Sequence, residues 1–111
     1  MVVLRISMAR FDVYLNPDPQ DAEIIPFFLD VQNEHIKGFK TRVLVPLWHN
    51  DLLPTKFIEL NPVFEVSGTQ VVMDTPALGA VAISSLKSPV ANLAAQQFTI
   101  QNALDALFGG Y

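Results

Sequence analysis

His35 and His49 are the only two histidines, and they are the natural first place to look for chemistry. Fourteen residues separate them, with no HxH or HxxxH spacing, so they do not read as metal ligands. His49 stands two residues before Asp51, and a His–Asp pair could exchange a proton with a substrate. A half-exposed connector histidine explains the same residues without any chemistry. Ser67, Ser84, Ser85 and Ser88 lie in no GxSxG setting, so a nucleophile elbow is absent. There is no cysteine, which excludes thiol nucleophiles, thiolate metal sites and disulfides. The glycine pair Gly109-Gly110 follows a periodic apolar run instead of opening one, so it does not form a phosphate loop. No catalytic group, metal or cofactor is expected, and that pattern points to a binding protein.

The elements that would carry such a binder are short. Residues 10–15 (RFDVYL) alternate Phe11 and Val13 against Asp12 and Tyr14, as in a half-buried strand. Residues 16–20 (NPDPQ) break it, because proline has no amide to donate. Residues 24–32 (IIPFFLDVQ) are apolar on both sides around Phe28 and Leu29, as in a central strand. A loop pivoting on Gly38 leads to a third strand at 41–47, whose Pro46 predicts an edge or a bulge. Residues 48–54 read as a connector. Residues 61–66 and 69–74 flank Ser67-Gly68 and read as a hairpin. Residues 80–84 read as a last strand. The acidic residues, Asp12, Asp30, Glu34, Asp51, Glu59, Glu65, Asp74 and Asp105, are scattered and read as solvated.

From Ala94 onward the period changes. Ile100, Ala103, Leu104, Leu107 and Phe108 make one apolar helical face, and Gly109 stands where a helix C-terminus favours a left-handed residue. Five or six short strands followed by one helix predict an antiparallel sheet or small barrel with a helix packed on it. The length of 111 residues fits one domain at 8–111, with residues 1–7 expected to be an extension ahead of a natural start at Met8. Half of the residues are apolar, more than a small monomer needs, which suggests a twofold homodimer. The net charge of −4 and the sparse cations argue against a nucleic-acid binder. No apolar run is long enough to span a membrane. The cysteine-free composition suits the cytoplasm.

Several of these pieces in order resemble the CcdB toxins of bacterial toxin–antitoxin modules. They are the RFDVY start, FFLDVQ at 27–32, VLVPL at 43–47, LNPVF at 60–64, VANL at 90–93 and the IQNALDALF helix at 100–108 that ends near Gly110. The resemblance implies an SH3-like small barrel with a C-terminal helix, assembled as a homodimer. It implies a toxin that binds the A subunit of DNA gyrase and traps the gyrase–DNA cleavage complex. A cognate antitoxin would neutralise it with a disordered segment. The toxin–antitoxin complex would repress its own operon, with DNA contacted only indirectly, through the antitoxin.

The residues that the resemblance assigns to gyrase binding are Ile36, Asp105, Phe108, Gly109, Gly110 and Tyr111. Here the family's typical Trp-Gly-Ile ending is replaced by Gly109, Gly110 and Tyr111. An asparagine position is Asp105, and an Ile-Ile pair is His35-Ile36. Two alternatives follow. One is a degenerate, non-poisoning dimer that binds only its antitoxin. The other is a MazF-like mRNA interferase on the same barrel, for which Arg10, Arg42 and His49 are the available pieces.

Overall fold

The structure is a computed structural model that describes residues 8–36 and 38–109. The expected extension at 1–7 lies outside the described residues. Among the described residues, seven strands form one sheet: β1 (Asp12–Leu15), β2 (Phe27–Asp30), β3 (Thr41–His49), β4 (Val63–Val66), β5 (Thr69–Met73), β6 (Gly79–Ala82) and β7 (Ala91–Asn92). The spatial order is β4-β5-β3-β2-β1-β7, with β6 paired to β3 and every pairing antiparallel. One helix, α1 (Gln97–Phe108), ends the described chain. The sheet curls into a nearly closed small barrel around Val13, Leu29, Val45, Leu47, Val71 and Met73, all fully buried. This is the expected class, mainly β with a C-terminal helix. Two-residue β7 is too short to have been read from the sequence.

The nine-residue strand β3 organises the sheet. On one side it pairs with β2, from Leu44 to Leu47. On the other it pairs first with β6, through Thr41–Leu44, and then with β5, through Leu47–His49. Pro46 sits between those two partners. Its missing amide faces the gap where neither strand asks for a donor, and its carbonyl accepts the Asp74 amide at 3.0 Å. The proline therefore marks a change of partner inside the strand. Trp48 and His49, expected in a connector, belong to the strand because β5 pairs with them.

The hairpin β4–β5 forms as expected. Ser67 and Gly68 both take positive φ, 50° and 81°, which a tight two-residue hairpin turn requires. Two-faced burial of β1 was not expected. A second cluster of Tyr14, Leu44 and Leu86, backed by Met8, Phe28 and Val81, covers the other side of the sheet. Tyr14 and Asp12, read as solvent-facing, are therefore buried. Asp12 uses its position. One carboxylate oxygen accepts the Ala9 amide and the other accepts the Asn92 side chain, each at 2.9 Å, which ties β1 to β7.

Candidate functional site

Helix α1 follows β7 through one helical turn, Ala94–Gln96, and the Ala94 amide donates to the Asn92 side chain at 2.8 Å. Ile100 and Ala103 are buried in the barrel core, and Leu104 packs against it. The helix also packs against the one-turn helix Thr75–Ala77. Phe108, expected on the same apolar face, is 70% exposed. At about 100° per residue it lies about 80° around the axis from Ile100, at the margin of the stripe, on the last turn. Asp105 is also exposed, on the side away from the core.

The helix end is well defined. Gly109 takes φ 72° and ψ 37°, and its amide donates to the Asp105 carbonyl. The left-handed conformation expected there is present, and it favours glycine over any residue with a Cβ. No basic residue stands in the last turn, so nothing offsets the partial negative charge of the helix C-terminus. Asp105 adds a full negative charge to it. Among the described residues the last turn thus joins negative charge to one exposed aromatic ring, Phe108. Gly110 and Tyr111, the last two assigned residues, lie outside the described residues.

The structure brings Asp105, Phe108 and Gly109 together on one and a half helical turns. Ile36 stands elsewhere, on the loop between β2 and β3, and no hydrogen bond or packing cluster among the described residues joins it to α1. The loop is shaped by Asn33, whose side chain accepts the His35 amide at 2.9 Å and whose carbonyl accepts the Ile36 amide at 3.1 Å. Gly38 takes φ 86°, the pivot expected there. Ile36 and Phe39 are 44% and 64% exposed. Phe39 is an exposed aromatic on the same loop that sequence reading passed over. Its only signal was its place beside a turn glycine.

The base of that loop holds a buried ion pair. Arg42 donates from Nε to Asp30 Oδ2 at 2.8 Å and from Nη2 to Asp30 Oδ1 at 2.9 Å. Arg42 Nη2 also reaches the Gln32 carbonyl at 3.2 Å, while the Gln32 side chain accepts the Val43 amide at 3.0 Å. Asp30 is fully buried and Arg42 nearly so. Burial disfavours the charged form of Asp30 and pushes its pKa up from the ordinary value, while Arg42 and the Gln32 amide favour the charged form. Asp30 was expected to be solvated and is the reverse. Arg42, one of the pieces offered for RNA cleavage, is committed to this pair and faces no groove.

Two further groups are perturbed. Asp74 accepts the Trp48 indole N–H at 3.1 Å, and burial raises its pKa; it too was read as solvated. Tyr14 is held well above the ordinary phenol range, first by burial and then by the charges of Asp12 and Asp30. Its hydroxyl is buried near the Asp12 carboxylate but makes no hydrogen bond of good geometry among the described residues. No cluster of three His, Asp or Glu side chains able to hold a metal occurs among the described residues. No helix among them is long and apolar enough to cross a membrane.

Comparison with known families gives a match over nearly the whole chain. The model of the family described as CcdB protein fits residues 10–110. A search of curated proteins finds no match.

Proposed function

The chain belongs to the CcdB family, and from that premise we propose that it poisons DNA gyrase through the exposed end of α1. Family membership supports a toxin of a toxin–antitoxin module. The finer reading is that a homodimer presents Asp105, Phe108 and residues 109–111 to the A subunit of DNA gyrase, with Ile36 as an accessory contact. Trapping of the cleavage complex follows from binding alone, without catalysis, in the cytoplasm where gyrase works. A cognate antitoxin reverses it, and the pair contacts operator DNA through the antitoxin.

The observation that carries this reading is Phe108, a large ring 70% exposed on a helix end with a defined cap. Isolated exposed aromatics at a rigid tip are what interface hot spots are made of, each worth about 2 kcal/mol or more when truncated. Phe108 contributes little to the core, so Phe108→Ala is expected to keep the melting temperature and to abolish cleavage-complex trapping by purified gyrase. Trapping at the wild-type level would overturn the assignment of the tip.

The second reading, a dimer that binds antitoxin without poisoning, is favoured by Gly109. The family's typical ending has a tryptophan there. The left-handed backbone at Gly109 suits glycine, so the ring and the helix cap compete for one position. Gly109→Trp separates the two readings. If the wild type does not trap gyrase and the tryptophan variant does, the chain has lost poisoning by losing one ring.

A further inference from the structure

The two ends of the sheet do not meet. β4 is one terminal strand and β7 is the other. Val63, Phe64 and Glu65 of β4 line a cavity of about 250 Å3 whose opposite wall is Leu93 and Gln96, just beyond β7. A second cavity, of about 400 Å3, is lined by Ile58 and Pro62 on one side and Thr99 and Asn102 on the other. Pro62 adjoins Val63, and Thr99 lies one helical turn beyond Gln96. The two cavities therefore neighbour one another along the groove between the β4 edge and the first half of α1.

The β4 edge is open in a specific way. The hairpin register pairs Val66 with Thr69 and Phe64 with Val71. In an antiparallel hairpin with a two-residue turn these are the mutually hydrogen-bonded pairs, so Val63 and Glu65 turn their amides and carbonyls outward. The Pro62 carbonyl accepting the Met73 amide at 2.9 Å fixes the same phase. Among the described residues no backbone hydrogen bond satisfies the outward groups of Val63 and Glu65. Strand edges are usually guarded by lysine, proline or a bulge. Here the one charge on the edge is Glu65, and Ile58, which lines the second cavity, is 90% exposed.

The geometry points to strand addition: this seam takes an extended, cationic peptide segment with alternating apolar side chains, paired to Val63 and Glu65. Charge selects the occupant. From Phe57 to the C-terminus the chain has one cation, Lys87, against Glu59, Glu65, Asp74 and Asp105. Glu59 and Glu65 both line the groove. A second copy pairing edge to edge about a twofold axis would set the two Glu65 side chains opposite or diagonal to one another, which is unfavourable. A basic segment meets complementary charge. The site lies at the N-terminal half of α1, away from Phe108, so it stands whether or not the tip binds gyrase.

The probe is a blocked six-residue peptide alternating arginine and valine, titrated into the isotopically labelled full chain. The amides of Val63 and Glu65 are expected to shift and to gain protection from exchange. Glu65→Gln is expected to weaken binding by about fivefold, the scale of an exposed ion pair. Glu65→Pro removes an outward donor that the hairpin does not use, so it is expected to abolish binding while the β5 amides keep their protection. The matching glutamate–valine peptide is expected not to bind. Shifts confined to other strands, or equal binding by the glutamate peptide, would overturn the proposal. So would concentration-dependent self-association of the free chain that Glu65→Pro abolishes, since the occupant would then be a second copy.

Discussion

Asp30→Asn is the sharpest perturbation of the architecture. The carboxylate accepts Arg42 Nε and Nη2 at 2.8 and 2.9 Å and also the Gln32 amide at 3.0 Å. An asparagine offers one acceptor oxygen, and its NH2 group then faces a donor. Arg42 keeps the Gln32 carbonyl but loses the counter-charge, inside a site that water does not reach. Breaking a buried pair from one side costs about 3–5 kcal/mol. The whole stability of a chain this long is on the order of 6–17 kcal/mol. Urea unfolding at pH 7, with an m-value of about 2 kcal/mol/M, should show the midpoint falling by about 2 M. Replacing both partners, Asp30→Leu with Arg42→Met, should recover most of that loss, because no uncompensated charge is left buried. A midpoint shift in Asp30→Asn below about 0.5 M, or a double variant no more stable than the single, would refute the reasoning.

Tyr14→Phe removes a buried hydroxyl that makes no hydrogen bond of good geometry among the described residues, and should leave stability unchanged or raise it by up to about 1 kcal/mol; a loss above that by chemical denaturation would reveal a bond to the hydroxyl. Asp74 gives a pH signature. Its folded pKa is raised, so between the unfolded and folded values the native state holds more proton than the unfolded state, and its contribution to stability is lost as pH rises through the folded value. Asp74→Asn has no such loss. The stability of the variant relative to wild type should therefore increase from about pH 3 to pH 7, and a flat or falling difference would contradict the raised pKa.

Features with a local cause were readable in the sequence. Ser67-Gly68 and Gly109 take the positive φ that their neighbours predicted, because a turn and a helix cap are decided within a few residues. Pro46 announced an interruption, though its meaning depended on which strands lay beside β3. Asp30 and Arg42 were not legible. They stand twelve residues apart, on neighbouring strands, each a lone charge near the end of an otherwise apolar run. Only the cover provided by Tyr14, Leu44 and Leu86 makes that side an interior. The site was legible to the same degree. Periodicity placed Phe108 on the helix face, but not beyond the reach of the barrel, because the helix overshoots what it packs on.

The barrel holds α1 by few side chains: Ile100 and Ala103 within the core, with Leu104 packed against it. Residues from Asp105 onward answer mostly to other demands. Mutation can thus explore the last turn while the barrel keeps its stability, since exposed substitutions there usually change it by no more than about 0.5 kcal/mol. A helix end held this way accepts changes of side chain that the barrel does not register.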